Sequence, residues 1–452
     1  MTDSGVPHYD IIIVGAGSSG AVVASRASED PHRSVLLVDA GPDYPLAADL
    51  PDDLRNGHDN SYVAHDWKLR HTSVADRDDP FPRGRVTGGS SAVNTTIALR
   101  GTPADYDHWA ELGNPGWAWP DVLVAFNRLE RDLDFGAEPH HGDAGPLSIR
   151  RWTDDELVPT QAAFIEAAVE FGFPRSADVN APDAIGVGPM AMNKLGRLRI
   201  STAIGYLSSA RYRDNLTILG DTHTARVVIE NGRATGIETS DGRRLSADLV
   251  VVAAGAIHTP GILVRSGVGD RGELDRLGIT AIRDVPGVGA NLADHPALFV
   301  LLEPTFPEFC DPTLPLVQTI CRYTSRNSDR PLDVNIELMT RAGQRGGAPL
   351  FMLAPSLEQV DGRGEVRQSS ADPTSTPIIA QRFGLNASDV ERHVNALEDA
   401  LSIAHTAPLR DFIGRVTFPD EARRSRPDLE RLARRGVGIG LSPVRHRPHG
   451  TG

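Results

Sequence analysis

Cysteine is nearly absent: Cys310 and Cys321 are the only two in 452 residues. Two thiols build neither a disulfide framework nor a metal-ligand set. Both are expected to be free, and the cytoplasm is the default compartment. A basic surplus is also missing, because the formal net charge is −14. Phosphate backbones need a basic face, so no nucleic-acid partner is expected, and docking on an anionic membrane is disfavoured. No apolar run approaches the roughly 20 residues that span a bilayer. The longest, 11–15 and 249–257, have the length of strands. The start, MTDSGVPHYD, has no basic stretch before its apolar run, so no signal peptide is read there. No G-x-S-x-G elbow occurs, which argues against an α/β-hydrolase. Internal repeats and low-complexity tracts are lacking too.

What is present belongs to a soluble globular protein, with 40% hydrophobic and 23% charged residues. A chain this long exceeds the roughly 250–300 residues at which one core stops growing, so two domains are expected. The clearest motif is YDIIIVGAGSSGAVVASRASEDPHRSVLLVDAG near the N-terminus. A continuous apolar, β-branched run at 10–14 reads as a buried parallel strand. Gly15, Gly17 and Gly20 follow in G-x-G-x-x-G spacing, then a helical stretch from Ser18 to about Glu29, then a second strand ending at Asp39. Gly15 permits the tight turn, Gly17 lets backbone approach a pyrophosphate, and Gly20 lets the helix pack on the strand. The helix start offers free N–H groups to phosphate. Asp39 is placed to accept from ribose hydroxyls. This pattern binds a dinucleotide but does not separate NAD from FAD.

Two later stretches offer more backbone to a ligand. Gly89 and Ser90 lie in the glycine–serine cluster 88–91, which reads equally as a flexible loop. The strand DLVVVAA ends at Ala254, and Gly255 follows it and opens a helix. Asn231-Gly232 and Asp241-Gly242 mark hairpin turns. PLDVNIELM and GAPLFMLAPSL suggest an antiparallel sheet, and the apolar spacing of 387–413 predicts a helix. Other residues invite blander readings. His140, His141 and Asp143 read as a solvated loop rather than a metal site, and no metal is expected. Asp105 and Asp107 read as decoration of a helix start, and His295 as structural.

Four ordered segments resemble the glucose–methanol–choline (GMC) oxidoreductases. GRVTGGSSAVN at 84–94 is similar to the first signature of that family, with Thr87 where an aliphatic residue is usual. GAIHTPGILVRSGVG at 255–269 fits the second signature. PGVGANLADHP fits the segment after it, and GRGEVRQSSADPTSTPII resembles a strand pair of the C-terminal region. The resemblance spans nearly the whole chain. It implies an α/β (α+β overall) fold: a discontinuous Rossmann-like FAD-binding domain, about 1–150 and 200–297, with an antiparallel-sheet substrate domain, about 151–199 and 298–425. It implies FAD, oxidation of the CH–OH group of a small alcohol, and an electron acceptor that stays unknown. By position it assigns Gly15, Gly17, Ser18, Ser19 and Gly20 to the pyrophosphate and Asp39, where most relatives carry Glu, to the adenosine ribose. Val86, Asn94 and Ile97 match positions lining the flavin, and Thr224 matches a backbone contact to adenine. Some relatives attach FAD through a histidine where this chain has Val93, so non-covalent FAD is expected. A mycofactocin-associated dehydrogenase and a non-catalytic flavin-binding protein are the alternatives.

The family takes the alcohol proton with a histidine in a late segment, H-P-x-G-T-x-x-M-G, followed by a second His or Asn. A histidine suits because its pKa lies near working pH. Here the sequence closes on HRPHGTG at 446–452. From Arg431 onward it contains no Asp or Glu. A one-base shift in a permissible codon set turns 441–452 into Cys-His-Leu-Cys-Gly-Thr-Ala-Arg-Met-Gly-Pro, which fits the family segment. A frame change near 432 is therefore expected, with 426–452 an aberrant tail, His446 and His449 accidental, no catalytic residue within the chain, and activity impaired.

Overall fold

The computed structural model describes residues 6–74, 77–311, 313–340 and 348–439. Its first sheet has six strands: β1 (His8–Val14), β2 (Val35–Val38), β3 (Leu216–Leu219), β4 (Thr224–Glu230), β5 (Arg233–Thr239) and β6 (Arg244–Val252), in the order β3-β2-β1-β6-β5-β4. β3, β2, β1 and β6 run parallel. Their apolar runs are buried as a two-sided parallel sheet requires: Ile12, Ile13, Leu36 and Leu37 are inaccessible. Helix α1 (Gly20–Ala27) packs on one face through Ala21 and Ala24. Helix α2 (Gly255–Arg265) contributes Ile262 to the other. β4, β5 and β6 form an antiparallel meander whose turns fall at the two expected sites. Asn231 and Gly232 both have positive φ, the condition for a tight hairpin turn.

One edge of this sheet is incomplete. β6 pairs with β1 over 246–252, but with β5 only over 244–246. Among the described residues, 247–252 have no strand on their other side. Leu249, in the middle of that run, is 51% exposed.

A second, antiparallel sheet of eight strands runs Ile413–Phe418, Val300–Pro304, Phe351–Leu357, Val334–Met339, Val317–Tyr323 and Gly186–Pro189, with Pro296–Ala297 and Gly438–Ile439 attached. Helices Pro159–Phe171 and Ala387–Ala404 cover one face and share its core with Phe164, Ile336, Leu353 and Leu397. A parallel core sheet assembled from separated stretches beside an antiparallel sheet is the expected fold class. Glu365–Arg367 and Ile378–Ala380 form the expected strand pair, and join Leu69–Thr72 and Asp78–Phe81 in a four-stranded sheet.

Two expectations need correction. The helix begun at 387 ends at Ala404, not 413. Pro408 cannot donate to a helix, and Ile413–Phe418 is a strand instead. Within the stretch 426–452 that is expected to be an aberrant tail, the described residues 426–437 form a helix and its exit. Ser425 caps helix Arg426–Arg435, and Leu429, Ala433 and Val437, four apart, are buried. His446, His449 and the rest of that tail lie outside the described residues. The His140–His141 loop is not solvated, since the His141 side chain is inaccessible. Cys310 and Cys321 are free and buried. No helix among the described residues is long and apolar enough to cross a membrane.

Candidate functional site

The glycine turn after β1 is built as its spacing predicts. Gly15 has φ +97°, and a Cβ there would lie 2.6 Å from the Ala253 carbonyl oxygen. A Cβ on Gly20 would fall 1.8 Å from the Gly15 oxygen, so only glycine lets α1 start there. Ser18 and Ser19 are exposed at the helix start, and the Ser19 side chain makes no cap bond. The Ala21 N–H donates to the Gly17 carbonyl and the Val23 N–H to the Ser19 carbonyl, so the exposed serines stand at the positive end of the helix, where an anion is favoured. Ala254 caps α2 beside the same turn, because the Gly15 Cβ position is 3.0 Å from its Cα. Gly255 has φ +76° and is exposed.

Asp39 closes β2. Its two carboxylate oxygens each accept a backbone N–H at 2.8 Å, from Ala16 and from Gly41. Burial pushes this carboxyl up to about 6, against the two amides that hold it down. The aspartate therefore shapes the glycine turn as well as offering lone pairs to a ligand.

The second glycine cluster is not a loose loop. The Gly88 N–H donates to the Ala16 carbonyl at 2.7 Å. A Cβ on Gly89, whose φ is +53°, would lie 2.6 Å from the Gly17 Cα. Two glycine-rich segments far apart in the chain, meeting at Gly17 and Gly89, thus touch backbone to backbone, with no room for a side chain between them. Ser90 accepts from the Gly84 N–H, and Ser91 hydrogen-bonds Thr202. Val86 is inaccessible and clusters with Leu54, Ala92 and Val93. Asn94 accepts from the Thr96 N–H, and Ile97 pairs with Met192 in an apolar cluster that includes Ile320 of the second sheet. Segment 86–97 therefore runs from the glycine turn toward the antiparallel sheet. Thr224 stands farther off, at the start of β4, buried with its hydroxyl unpartnered. His295 is mostly exposed and pairs with Glu358 at 3.4 Å. Thr102 and Asp105 form the capping box of helix Pro103–Glu111.

Three groups had no readable signature. Arg199 is inaccessible, and its guanidinium donates to the carbonyls of Asp53, Leu54, Asp59, Ala92 and Asn94. It ties 53–59 to the start of 92–97 with no carboxylate hydrogen bond among the described residues, and burial pulls it down to about 10. His141 sits among Glu130, Asp132, Asp178, Arg100 and Arg151. Three enclosed carboxylates there face two guanidiniums and the His141 ring, with Asp134 3.8 Å from Arg151 at the rim. Tyr44, His65 and Asp53 form a hydrogen-bonded chain. No fixed spacing marks any of them: Arg199 and His141 draw partners from distant segments, and Tyr44, Asp53 and His65 follow no recurring interval.

A sequence profile described as GMC oxidoreductase matches residues 9–297. A GMC-type oxidoreductase of Rhodococcus erythropolis is 34% identical over 432 residues, which is 93% of this chain and 85% of the relative. A glucose dehydrogenase [FAD, quinone] of Drosophila pseudoobscura pseudoobscura is 31% identical, over 90% of this chain and 71% of its own length. The crystal structure of pyridoxine 4-oxidase from Mesorbium loti superposes with a TM-score of 0.87 at 29% identity, covering 95% of this chain and 87% of that one. The profile match begins at β1 and ends past α2, so it contains both glycine segments and the turn they share. The chain belongs to the GMC oxidoreductase family.

Proposed function

We propose that the chain binds FAD non-covalently and oxidises the CH–OH group of a small alcohol. The observation that carries this reading is the meeting of Gly17 and Gly89, which leaves a bare backbone cradle between an anion-receiving helix start and the acidic end of β2. Gly15, Gly17, Ser18, Ser19 and Gly20 would hold the pyrophosphate. Asp39 would accept from the adenosine ribose, and Thr224 would stand at the adenine. Gly89, Ser90, Ala254 and Gly255 would line the same cradle, with Val86, Asn94 and Ile97 along the flavin. Bound FAD supplies the acceptor for the hydride that leaves the alcohol carbon. Val93 is buried beside Val86 and offers no nucleophile for a covalent link. Glucose and pyridoxine, in the names of two relatives, both carry CH–OH groups. The acceptor of the electrons is left open. Two buried free thiols suit a reducing compartment, and the cytoplasm is the proposed location.

The test is titration of the purified chain with FAD, then alcohol-dependent dye reduction. Failure to bind FAD sinks the proposal. Yellow flavin that survives acid denaturation on the polypeptide sinks its non-covalent part.

A second reading, a flavin-binding protein without turnover, is favoured by the open edge of β6 at 247–252 beside the glycine turn. Stoichiometric FAD with no alcohol-dependent reduction across a broad panel would select it. A proton acceptor for the alcohol is proposed outside the described residues. Resequencing through codon 432 tests the frame change proposed beyond it.

A further inference from the structure

The segment after Asp39 and the segment 85–93 come together around His65. Tyr44 Oη lies 2.9 Å from His65 Nε2, and His65 Nδ1 lies 3.0 Å from Asp53 Oδ2. Ser61 Oγ donates to the same carboxylate oxygen. A carboxylate only accepts, so Nδ1 carries the hydrogen. In the neutral imidazole Nε2 is then the acceptor and the Tyr44 hydroxyl the donor. Burial raises the Tyr44 phenol and keeps it protonated as that donor. At Asp53, burial alone would raise the carboxyl, but the Ser61 and His65 hydrogen bonds outweigh it and hold it low.

The chain joins two halves of the site. Tyr44 stands five residues beyond Asp39, on the adenosine side. Its ring packs against the cluster of Val86, Ala92 and Val93. The His65 carbonyl accepts from the Arg85 N–H, and Ser61 N–H donates to the Val93 carbonyl. His65 is buried to 9% exposure, so the geometry is fixed on all sides. The Thr87 N–H also donates to the Pro42 carbonyl and Arg85 Nε to the Ala40 carbonyl, so the Tyr44–His65 bond reinforces two direct ties between the segments.

We propose that Tyr44 and His65 are positioning residues that lock segment 85–93, the flavin half of the site, onto the Asp39–Tyr44 segment, the adenosine half. This rests on the FAD reading above. Its consequence is selective. Loss of the lock weakens a ligand that must engage both halves and spares one that engages the adenosine half alone.

Two probes separate these cases: FAD, which spans both halves, and ADP, which lacks the isoalloxazine and ribityl groups. Binding of each is measured calorimetrically to the full chain and to Tyr44→Phe and His65→Gln, with the thermal midpoint of each ligand-free protein as a control. Tyr44→Phe keeps the ring packing and removes only the hydroxyl. One hydrogen bond of this kind amounts to about a fivefold change in an equilibrium constant. The expected result is an FAD dissociation constant raised about 3- to 10-fold in both variants, with ADP affinity unchanged. Equal losses for FAD and ADP would mean general loosening and would overturn the proposal, as would no change for either. If the unaltered chain binds ADP but not FAD, the cofactor reading itself falls, a result that does not depend on either variant.

Discussion

Raising the pH should unfasten the ionic cluster around His141. The ring is fully enclosed, with Nδ1 2.7 Å from Glu130 and Nε2 2.8 Å from Asp178. Both ring nitrogens face carboxylate oxygens, which cannot donate, so both must carry hydrogen and the ring is an imidazolium. Burial alone would lower its pKa. The bonds to Asp178 and Glu130 outweigh burial and raise it to about 9 from 6.5. A folded-state value above the unfolded one stabilises the native state fully below pH 6.5, and that stabilisation is lost as pH rises toward 9. The gap corresponds to about 3 kcal/mol. Above pH 9 the three carboxylates retain only Arg100 and Arg151, with Arg151 2.5 Å from Asp132 and 2.6 Å from Asp178. Urea unfolding followed by tryptophan fluorescence at pH 6, 7.5 and 9.5 measures this. Lys194 and Glu337 titrate in the same window in both proteins, so the difference between them carries the His141 contribution. His141→Gln should be less stable than the unaltered chain by about 3 kcal/mol at pH 6, and the gap should close as pH rises toward 9. Parallel pH profiles for the two proteins would show that His141 carries no buried charge.

Other perturbations follow from the same geometry. Gly89→Ala places a methyl 2.6 Å from the Gly17 Cα, so FAD affinity by titration should fall at least about tenfold while circular dichroism stays unchanged. Arg199→Met leaves several buried carbonyls without their donor and should cost about 3 kcal/mol in urea unfolding. An unchanged midpoint would mean water replaces the guanidinium. Leu249→Lys puts a charge on the open edge of β6, and light scattering on warming should show slower self-association with no loss of stability.

The parallel core was legible because each of its parts repeats a local rule. The apolar run of β1, the Gly15–Gly17–Gly20 spacing and the acidic end at Asp39 lie within one short stretch of chain. The Asn231-Gly232 turn was readable for the same reason. The His141 cluster was not, since its partners run from Arg100 to Asp178, and two adjacent histidines beside glycine look solvated until the fold buries them. Arg199 was invisible because its partners are carbonyl groups, which every residue has. The helix from 387 was overrun because its apolar spacing continues past Ala404, and only Pro408 and the strand behind it stop it. Helix Arg426–Arg435 was not foreseen, because the loss of acidic residues after 431 is a signal of composition and the apolar spacing of Leu429, Ala433 and Val437 is sparse.

The order of β1 and β6 in the chain has a consequence for synthesis. β1 aligns with residues 246–252, about 240 residues downstream. At about 5–20 residues per second, a ribosome needs roughly 10–50 s to deliver that partner. Throughout this interval the apolar β1 and β2 ladder waits with one side unpaired. The nascent chain must be kept from pairing elsewhere, so yield in a cell should depend on holding chaperones and on growth temperature more than on the stability of the finished fold.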